Sequence, residues 1–156
     1  MDGVTTGRDV LVVLPALNEE ASVGIVVKEV REALPDADVL VVDDGSVDGT
    51  AAVARHAGSE VISNVFTLGV GGAMRVGFRY AEQRRYQALV QVDADGQHDP
   101  KHIPQLLDAL REDDRPEIVI GARFAGEGTI TVPRIRRWAC LLYTSDAADE
   151  SYACRS

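Results

Sequence analysis

Residues 10–20 read VLVVLPALNEE. The aliphatic run Val10–Leu14 is typical of a strand that a parallel sheet buries on both faces. Pro15 ends the run, and polar residues follow it directly. In open parallel sheets, ligands bind beyond the carboxyl ends of the strands. This stretch therefore predicts an α/β fold, and it places the first candidate site residues at positions 15–19.

The chain up to residue 120 alternates between strand and helix patterns. Aliphatic runs at 39–42, 61–62, 88–92 and 117–120 predict further strands, and segments 20–34, 50–56, 69–85 and 100–110 predict helices. Short connections between such elements predict an open, mostly parallel α/β sheet flanked by helices. Thr50 and Asp99 are the residues expected to cap the helices that follow them.

Composition excludes several classes of function. The 156 residues are 46% hydrophobic and 26% charged, as in one soluble globular domain. A net charge of −9 argues against a nucleic-acid partner, because such binding needs many Lys and Arg contacts to phosphates. Two cysteines, Cys140 and Cys154, are too few for a disulfide framework and indicate a reducing, cytoplasmic setting. No apolar run reaches the roughly 18 residues of a membrane span.

Two later strand ends are acidic, at residues 43–46 (DDGS) and 93–97 (DADGQ). Converging aspartates repel one another unless a cation or a hydrogen-bonding ligand balances them. In an extended chain, Asp93, Asp95 and Gln97 face one side and can share an ion. Their hard oxygen ligands favour Mg²⁺ or Mn²⁺ over zinc. Residues 43–44 can accept hydrogen bonds from a nucleobase or a ribose; the alternative for both segments is an acidic turn that caps a helix.

A glycine-rich segment, GVGGA at residues 69–73, opens the third predicted helix. It is not a dinucleotide fingerprint, because Met74 stands where a small residue is needed, and it is not a Walker loop, because Phe78 follows Gly77. A helix N-terminus with Arg75 one turn in favours an anion. Helix packing is an equally good explanation.

Basic residues and histidines give weaker signals. Arg123 ends the last predicted strand, and Arg134, Arg136 and Arg137 form the dense basic cluster of the chain. Arginine at these places can pair with phosphate or lie on a solvated surface. The three histidines at positions 56, 98 and 102 do not form a persuasive ligand set and are expected at the surface.

Three segments in order carry a family likeness: PALNEE at 15–20, VVDDGSVDGT at 41–50 and DADGQHDP at 93–100. They resemble the family 2 glycosyltransferases of the GT-A fold. The GARF segment at 121–124 is most similar to the polyprenyl-phosphate sugar transferases of the dolichol-phosphate mannose synthase type. The likeness covers residues 9–138.

The resemblance implies an inverting, metal-dependent glycosyltransferase. It would move a hexose of the mannose or glucose class from a nucleotide-diphosphate sugar to polyprenyl phosphate, in the cytoplasm and peripherally at the inner face of the membrane. The alternatives are a family 2 transferase with a hydroxyl acceptor, such as a polysaccharide or small molecule, and an inactive fragment that binds nucleotide sugars.

Residue roles follow from the matching segments. Mg²⁺ or Mn²⁺ is expected on Asp93, Asp95 and Gln97. The catalytic set comprises Asp95, Arg123 and Arg136. The predicted donor-binding residues are Pro15, Ala16, Leu17, Asn18, Glu19, Asp43, Asp44, Ser46, Arg75, Asp93, Ala94 and Asp95.

The end of the chain follows a different pattern. Residues 1–140 are predicted to form the donor-binding domain, with an incomplete acceptor side, and residues 141–156 (LLYTSDAADESYACRS) an atypical tail without strand or helix alternation. A disordered tail and a short amphipathic helix are alternatives. The abrupt break favours sequence foreign to the gene, resembling translated adapter or vector sequence. The family continues into an acceptor-side helical region, so the chain is expected to be an N-terminal fragment.

Overall fold

The structure, a computed structural model, describes residues 9–110, 118–122 and 139–144. These residues form a six-stranded sheet with helices on both faces. The strands are β1 (Val10–Ala16), β2 (Asp38–Asp43), β3 (Glu60–Ser63), β4 (Ala88–Gln91), β5 (Ile118–Ala122) and β6 (Ala139–Thr144). The helices are α1 (Val23–Ala33), α2 (Thr50–His56), α3 (Gly69–Arg84) and α4 (Ile103–Leu110), with a 3₁₀ turn at Pro100–His102 before α4.

The sheet has the strand order β3-β2-β1-β4-β6-β5. Strands β1, β2, β3 and β4 are parallel to one another. Strand β6 lies between β4 and β5 and is antiparallel to both. The predicted mostly parallel α/β sheet is confirmed. The chain builds outward from β1 through β2 to β3 and then crosses back to β4 on the other side of β1. This reversal creates a switch point between β1 and β4, where ligands of open α/β sheets bind.

Strand β1 contributes to two cores. Val10, Val12 and Leu14 pack in the cluster that also holds the buried face of α1. Leu11 and Val13 point the other way, into the cluster that contains Ala73 and Met74 of α3. All five β1 residues from Val10 to Leu14 have no solvent exposure. The aliphatic run thus leaves β1 without a solvent-facing side, as the sequence predicts.

Tyr80 near the end of α3 and Tyr86 just beyond it form hydrogen bonds to the starts of two strands. The Tyr86 hydroxyl donates a hydrogen bond of 2.5 Å to Asp38 at the start of β2, and the Tyr80 hydroxyl donates to Glu60 at the start of β3. Burial, followed by the hydrogen bond to Glu60, raises the pKa of Tyr80 to about 12. The Arg84 guanidinium lies 4.8 Å from the centre of the Tyr80 ring. These contacts fix the C-terminal end of α3 against the starts of β2 and β3.

The structure tests two predicted caps. Asp99 caps the 3₁₀ turn by accepting a hydrogen bond from the Lys101 amide at 3.0 Å, as predicted. The prediction for Thr50 is wrong, because Thr50 is the first residue of α2 and Gly49 precedes the helix. The Thr50 hydroxyl instead accepts a hydrogen bond from the Glu19 amide at 2.8 Å. Its side chain thus connects the loop after β1 to the start of α2 and does not cap that helix.

Strand β6 runs across the predicted boundary between residues 140 and 141. The expectation that regular structure stops at Leu141 is therefore wrong for residues 141–144. Its sequence, ACLLYT, is mostly apolar and pairs on both sides, with β4 and with β5. In the sequence, the small and acidic residues of 145–156 follow this short apolar run, so the segment 141–156 as a whole does not indicate a strand. Residues 145–156 lie outside the described residues, and their assignment as foreign sequence stays a prediction.

None of the helices in the described part of the chain has the length and apolarity that a bilayer crossing requires.

Packing of α3 on β1 predicts opposite effects for two glycine substitutions. A Cβ on Gly77 would lie 2.8 Å from Cγ1 of the buried Val13, whereas a Cβ on Gly71 would meet nothing within 4 Å. Gly77→Ala should lower the free energy of unfolding by about 1–3 kcal/mol through overpacking. Gly71→Ala, the matched control, should raise it by up to about 1 kcal/mol. Urea denaturation measures both; equal stability of the two variants would contradict this packing.

Candidate functional site

An open cavity of about 270 Å³ lies at the switch point, beyond the carboxyl ends of β1, β2 and β4. Its volume is just below the range of roughly 300–1,000 Å³ that is usual for small-molecule sites. Three loops and the start of α3 meet there. The lining residues are Pro15, Ala16, Leu17, Glu19, Asp44, Gly69, Val70, Ala73, Asp93, Ala94 and Asp95.

Asp44 forms a buried wall of this cavity and is only 4% exposed. One carboxylate oxygen, Oδ1, accepts hydrogen bonds from the Asn64 side-chain amide at 2.8 Å and from the Leu68 amide at 2.9 Å. The other, Oδ2, accepts from the Gly69 amide at 2.7 Å and from the Leu68 amide, which is shared between the two oxygens, at 3.0 Å. Asp44 therefore holds the first residue of α3 and the loop that precedes it.

The surroundings of Asp44 favour its ionised form. Burial raises the pKa of the Asp44 carboxyl, but the hydrogen bonds from Leu68, Asn64 and Gly69 together outweigh burial and lower it below its usual value. Negative charge next to the N-terminal amides of α3 also has a favourable interaction with the helix dipole. The carboxylate is thus charged at neutral pH and lies at the wall of the cavity.

The loops after β1 and β2 are tied together by hydrogen bonds. The Asn18 amide donates to Oγ of Ser46, and the Asn18 side-chain oxygen accepts from the Val47 amide, both at 2.9 Å. The Glu20 carboxylate accepts from the Gly49 amide at 3.0 Å. Asn18 has a φ of 55°, a left-handed conformation that asparagine tolerates better than most residues. Asn18 and Ser46 do not line the cavity. Their groups shape the loops instead.

Asp93 and Asp95 both line the cavity, directly after β4. The Asp95 carboxylate accepts a hydrogen bond from the Gln97 amide at 2.8 Å. Asp93 lies 3.7 Å from Nδ1 of His98, whose buried ring nitrogens have no hydrogen-bond partner among the described residues. His98 is partly buried, so the expectation of a surface position is wrong for it, whereas His56 and His102 are exposed as predicted.

These two aspartates fit a hard divalent cation by the chemistry of their oxygens. No group of three or more His, Cys, Asp or Glu side chains suited to a metal occurs in the described ranges. Two carboxylates at the cavity are compatible with Mg²⁺, which commonly binds one or two carboxylates and takes further ligands from phosphates and water. Gln97, the third predicted ligand, is exposed and does not line the cavity.

The structure brings together eight of the predicted donor-binding residues at one cavity, namely Pro15, Ala16, Leu17, Glu19, Asp44, Asp93, Ala94 and Asp95. It does not bring Asp43 or Arg75 there. Asp43 is buried and accepts a hydrogen bond from the Ser46 amide at 3.0 Å, and Arg75 is exposed on α3. Arg123 and Arg136 lie outside the described residues.

Helix α3 supplies a wall that the prediction of individual site residues missed. Gly69, Val70 and Ala73 line the cavity beside Asp44. The available signal was the GVGGA segment, since small residues at the start of a helix let a ligand or another backbone come close. The sequence pattern favours an anion at this segment but singles out only Arg75 from it.

Comparison with known proteins agrees with this geometry. The sequence profile described as Glycosyl transferase family 2 matches residues 11–150, which is most of the chain and all three loops of the cavity. The chain belongs to glycosyl transferase family 2. This family 2 chain is 40% identical over 143 residues to an undecaprenyl-phosphate mannosyltransferase of Micrococcus luteus, covering 86% of the chain and 58% of that protein.

A second relative is a polyprenol monophosphomannose synthase of Mycolicibacterium smegmatis, 37% identical over 126 residues, which cover 77% of the family 2 chain and 47% of the relative. The chain thus spans about half the length of these curated relatives.

Among solved structures, the family 2 chain is similar to glucosyl-3-phosphoglycerate synthase of Mycobacterium tuberculosis in complex with Mn²⁺, UDP-glucose and phosphoglyceric acid. The TM-score is 0.58 at 28% identity, covering 72% of the chain and 42% of the synthase. The same synthase with Mg²⁺ and UDP gives a TM-score of 0.52 at 29% identity, covering 67% and 40%. The fold is therefore GT-A, as the resemblance implied.

The bonds to Asp44 predict an acid-sensitive contribution to stability. Asp44→Asn leaves one or more buried amides without an acceptor, so the free energy of unfolding at pH 7 should fall by about 1–3 kcal/mol. A carboxyl with a lowered pKa in the folded protein stabilises it above the pKa of the unfolded chain and loses that effect as pH falls through the folded value. The difference between the two proteins should therefore shrink below pH 4, as measured by urea denaturation.

Asp36→Asn is the matched control, because Asp36 is exposed in the turn after α1. Its effect should stay within about 0.5 kcal/mol at both pH values. An Asp44→Asn variant that behaves like this control would contradict the role given to the buried carboxylate.

Proposed function

We propose that this chain supplies the donor-binding part of a glycosyltransferase that moves a hexose from a nucleotide-diphosphate sugar to polyprenyl phosphate. The observation that carries the proposal is the convergence of Glu19, Asp44, Asp93 and Asp95 on one cavity at the switch point of a GT-A sheet. A mannose donor and the acceptor are supported by the names of the two relatives, which are a polyprenol monophosphomannose synthase and an undecaprenyl-phosphate mannosyltransferase. A glucose donor is supported by the similarity to glucosyl-3-phosphoglycerate synthase.

The nucleoside is proposed to lie between the loop after β1 and the start of α3. Leu17 and Val70 offer apolar contact to a flat base, since both line the cavity and keep part of their surface exposed. The charged Asp44 carboxylate has about four acceptor sites and already accepts four hydrogen bonds. A base N–H or a ribose hydroxyl would therefore replace the bond from the Leu68 amide to Oδ2, since this amide also bonds to Oδ1. Pro15, Ala16 and Ala94 add small apolar surfaces.

The donor pyrophosphate is proposed to lie near Asp93 and Asp95, which would hold Mg²⁺ or Mn²⁺ there. When bound, such an ion supplies Lewis-acid stabilisation to the departing diphosphate. The two carboxylates would hold the ion beside Glu19 and Asp44, which are the other charged residues among the described ones that line the cavity. Solved relatives with Mn²⁺ and with Mg²⁺ support a divalent ion without selecting one.

Transfer is proposed to invert the anomeric carbon in a single displacement. The bond from that carbon to the diphosphate oxygen breaks, its electron pair leaves with the nucleoside diphosphate, and an oxygen of the acceptor phosphate forms the new bond. A phosphate monoester has a second pKa of about 6, so it is an anion at pH 7 and needs no general base. Arg123 and Arg136 are proposed to hold the acceptor and donor phosphates by charge-assisted hydrogen bonds.

The cellular site proposed for this reaction is the inner face of the membrane, approached from the cytoplasm, because polyprenyl chains reside in the bilayer.

A second candidate function uses a hydroxyl acceptor. It is supported by the similarity to glucosyl-3-phosphoglycerate synthase, solved with phosphoglyceric acid as well as UDP-glucose. A hydroxyl must lose a proton during transfer and so requires a base in the transition state. This candidate would need a basic group close to the acceptor, a role with no equivalent in the polyprenyl-phosphate mechanism.

The proposal predicts metal-dependent donor binding. GDP-mannose and UDP-glucose should bind the wild-type chain in Mn²⁺ or Mg²⁺, and EDTA should weaken that binding at least tenfold, as measured by calorimetry. Asp95→Asn should weaken Mn²⁺ binding at least tenfold, equivalent to about 1.4 kcal/mol, because it removes a charged ligand. Asp36→Asn, which alters an exposed carboxylate away from the cavity, should leave both affinities unchanged.

Donor binding that is insensitive to EDTA and to Asp95→Asn would exclude the proposed metal site. Transfer assays with a short polyprenyl phosphate and with phosphoglycerate separate the two acceptor classes. Donor binding without transfer to either would favour the third interpretation, a fragment that binds nucleotide sugars.

A further inference from the structure

One edge of the cavity carries exposed apolar side chains, of which the proposed donor site uses only Val70. They belong to residues 64–70 (NVFTLGV), here called the rim loop. Val65 and Phe66 are 86% and 76% exposed, and Leu68 and Val70 are each more than half exposed. Single exposed apolar residues are ordinary, whereas four within six consecutive positions form a patch of the kind that marks an interaction surface.

The rim loop is held in this form by the protein itself. At its start, the Asn64 amide donates to the Asp43 carbonyl at 2.8 Å, and the Asn64 side chain donates to Asp44. At its end, the Leu68 and Gly69 amides donate to the Asp44 carboxylate. The backbone is therefore fixed on both sides of Val65 and Phe66. A fixed loop presents its apolar side chains without a large further loss of conformational entropy on binding.

A basic stripe continues from the rim loop along α3. Arg75 and Arg79 follow Leu68 by seven and eleven residues, which returns them to the same side of a helix with 3.6 residues per turn. A Cβ on Gly72 would clash with Cβ of Leu68, so Leu68 already lies over this stripe. Both arginines are exposed, and within the described ranges neither takes part in an ion pair or side-chain hydrogen bond.

We propose that the rim loop and the basic stripe of α3 form a surface that docks on an anionic lipid bilayer. Val65 and Phe66 would enter the interfacial region, and Arg75 and Arg79 would lie against the lipid phosphates. Apolar and aromatic side chains next to arginine are the combination that binds such interfaces. This inference rests on the proposed function, because a lipid-borne acceptor requires the cavity to lie close to a membrane.

The local charge of the basic stripe, rather than the net charge of the chain, favours an anionic bilayer as the partner. The chain carries a net charge of −9, so an anionic surface repels the molecule as a whole. Attraction to such a surface must come from a local basic region, and the stripe beside the rim loop provides one. The surface also adjoins the cavity, since Gly69 and Val70 belong to its lining. Docking there would bring the open site to the membrane.

The position in the sheet keeps this surface away from the later strands. The rim loop follows β3, which is one edge of the sheet, whereas β5 forms the opposite edge.

The test is binding of the 156-residue chain to vesicles that contain no polyprenyl phosphate. Vesicles of mixed phosphatidylglycerol and phosphatidylcholine should bind it, and pure phosphatidylcholine vesicles should bind it more weakly. The double variant Val65→Ser, Phe66→Ser should lose at least tenfold in affinity, because it removes the apolar side chains. Arg75→Gln and Arg79→Gln should each lose about fivefold, equivalent to about 1 kcal/mol per charge, and should reduce the dependence on salt.

Two matched controls show whether position matters. Ile25→Ser alters an apolar side chain that is 60% exposed on α1, and Arg55→Gln alters an exposed arginine on α2. Both should bind vesicles like the wild type. Urea denaturation should show unchanged stability for all variants, since every altered side chain is exposed.

Three results would overturn the inference: no binding of the wild type to anionic vesicles, equal losses in the control variants, or a dimer in lipid-free sedimentation that Val65→Ser, Phe66→Ser converts to a monomer. Donor affinity in Mn²⁺, measured on the same proteins, separates this inference from the proposed function. Vesicle binding that persists without any donor affinity would refute the proposed function alone, and donor affinity without vesicle binding would refute the docking surface alone.

Discussion

The rest of the structure depends on the burial of β1 on both faces. Residues Val10–Leu14 have no solvent exposure, so helices must cover the sheet on both sides of this strand. Both of its edges are also paired, with β2 and with β4. A strand in this position, with the chain leaving to one side and returning on the other, creates the switch point at its carboxyl end. The cavity lies there because the loops after β1 and β4 diverge from that point. The apolar run therefore builds the buried strand, and the polar segment 15–20 that follows it lies at the switch point that this strand creates.

The loops at the switch point are ordered mainly by hydrogen bonds between themselves. Asn18 bonds to the loop after β2, and the Glu19 amide bonds to Thr50. Asp44 bonds to the start of α3. Each of these bonds satisfies a backbone group that would otherwise need water. The polar residues of the segments at 15–20 and 41–50 thus have a structural function alongside any contact with a ligand. This holds also for Asn18 and Ser46, which do not line the cavity.

This division explains what the sequence could and could not predict. The alternation of aliphatic runs with helical periods predicts β1, β2, β4 and α1, because burial imposes those patterns locally. The position of Asp93 and Asp95 after a strand predicts that they face the ligand edge, and they do line the cavity. The partners of Asn18 and Glu19 lie 28 and 31 residues away, so no local pattern reveals them. Strand β6 escaped prediction for a related reason, since its short apolar run becomes a strand only between two existing neighbours.

Asp44 connects the cavity to the rim loop. Its carboxylate lines the cavity and also fixes the Leu68 and Gly69 amides, so the wall at Val70 and the exposed side chains at 65 and 66 depend on the same buried charge. A ligand that donated a hydrogen bond to this carboxylate would compete with the bonds that hold the loop. On the proposed function, occupancy of the donor site and the shape of the membrane-facing loop are therefore linked through one residue. Linkage of this kind is reciprocal: a change that lipid docking makes in the donor affinity equals the change that the donor makes in the affinity for lipid.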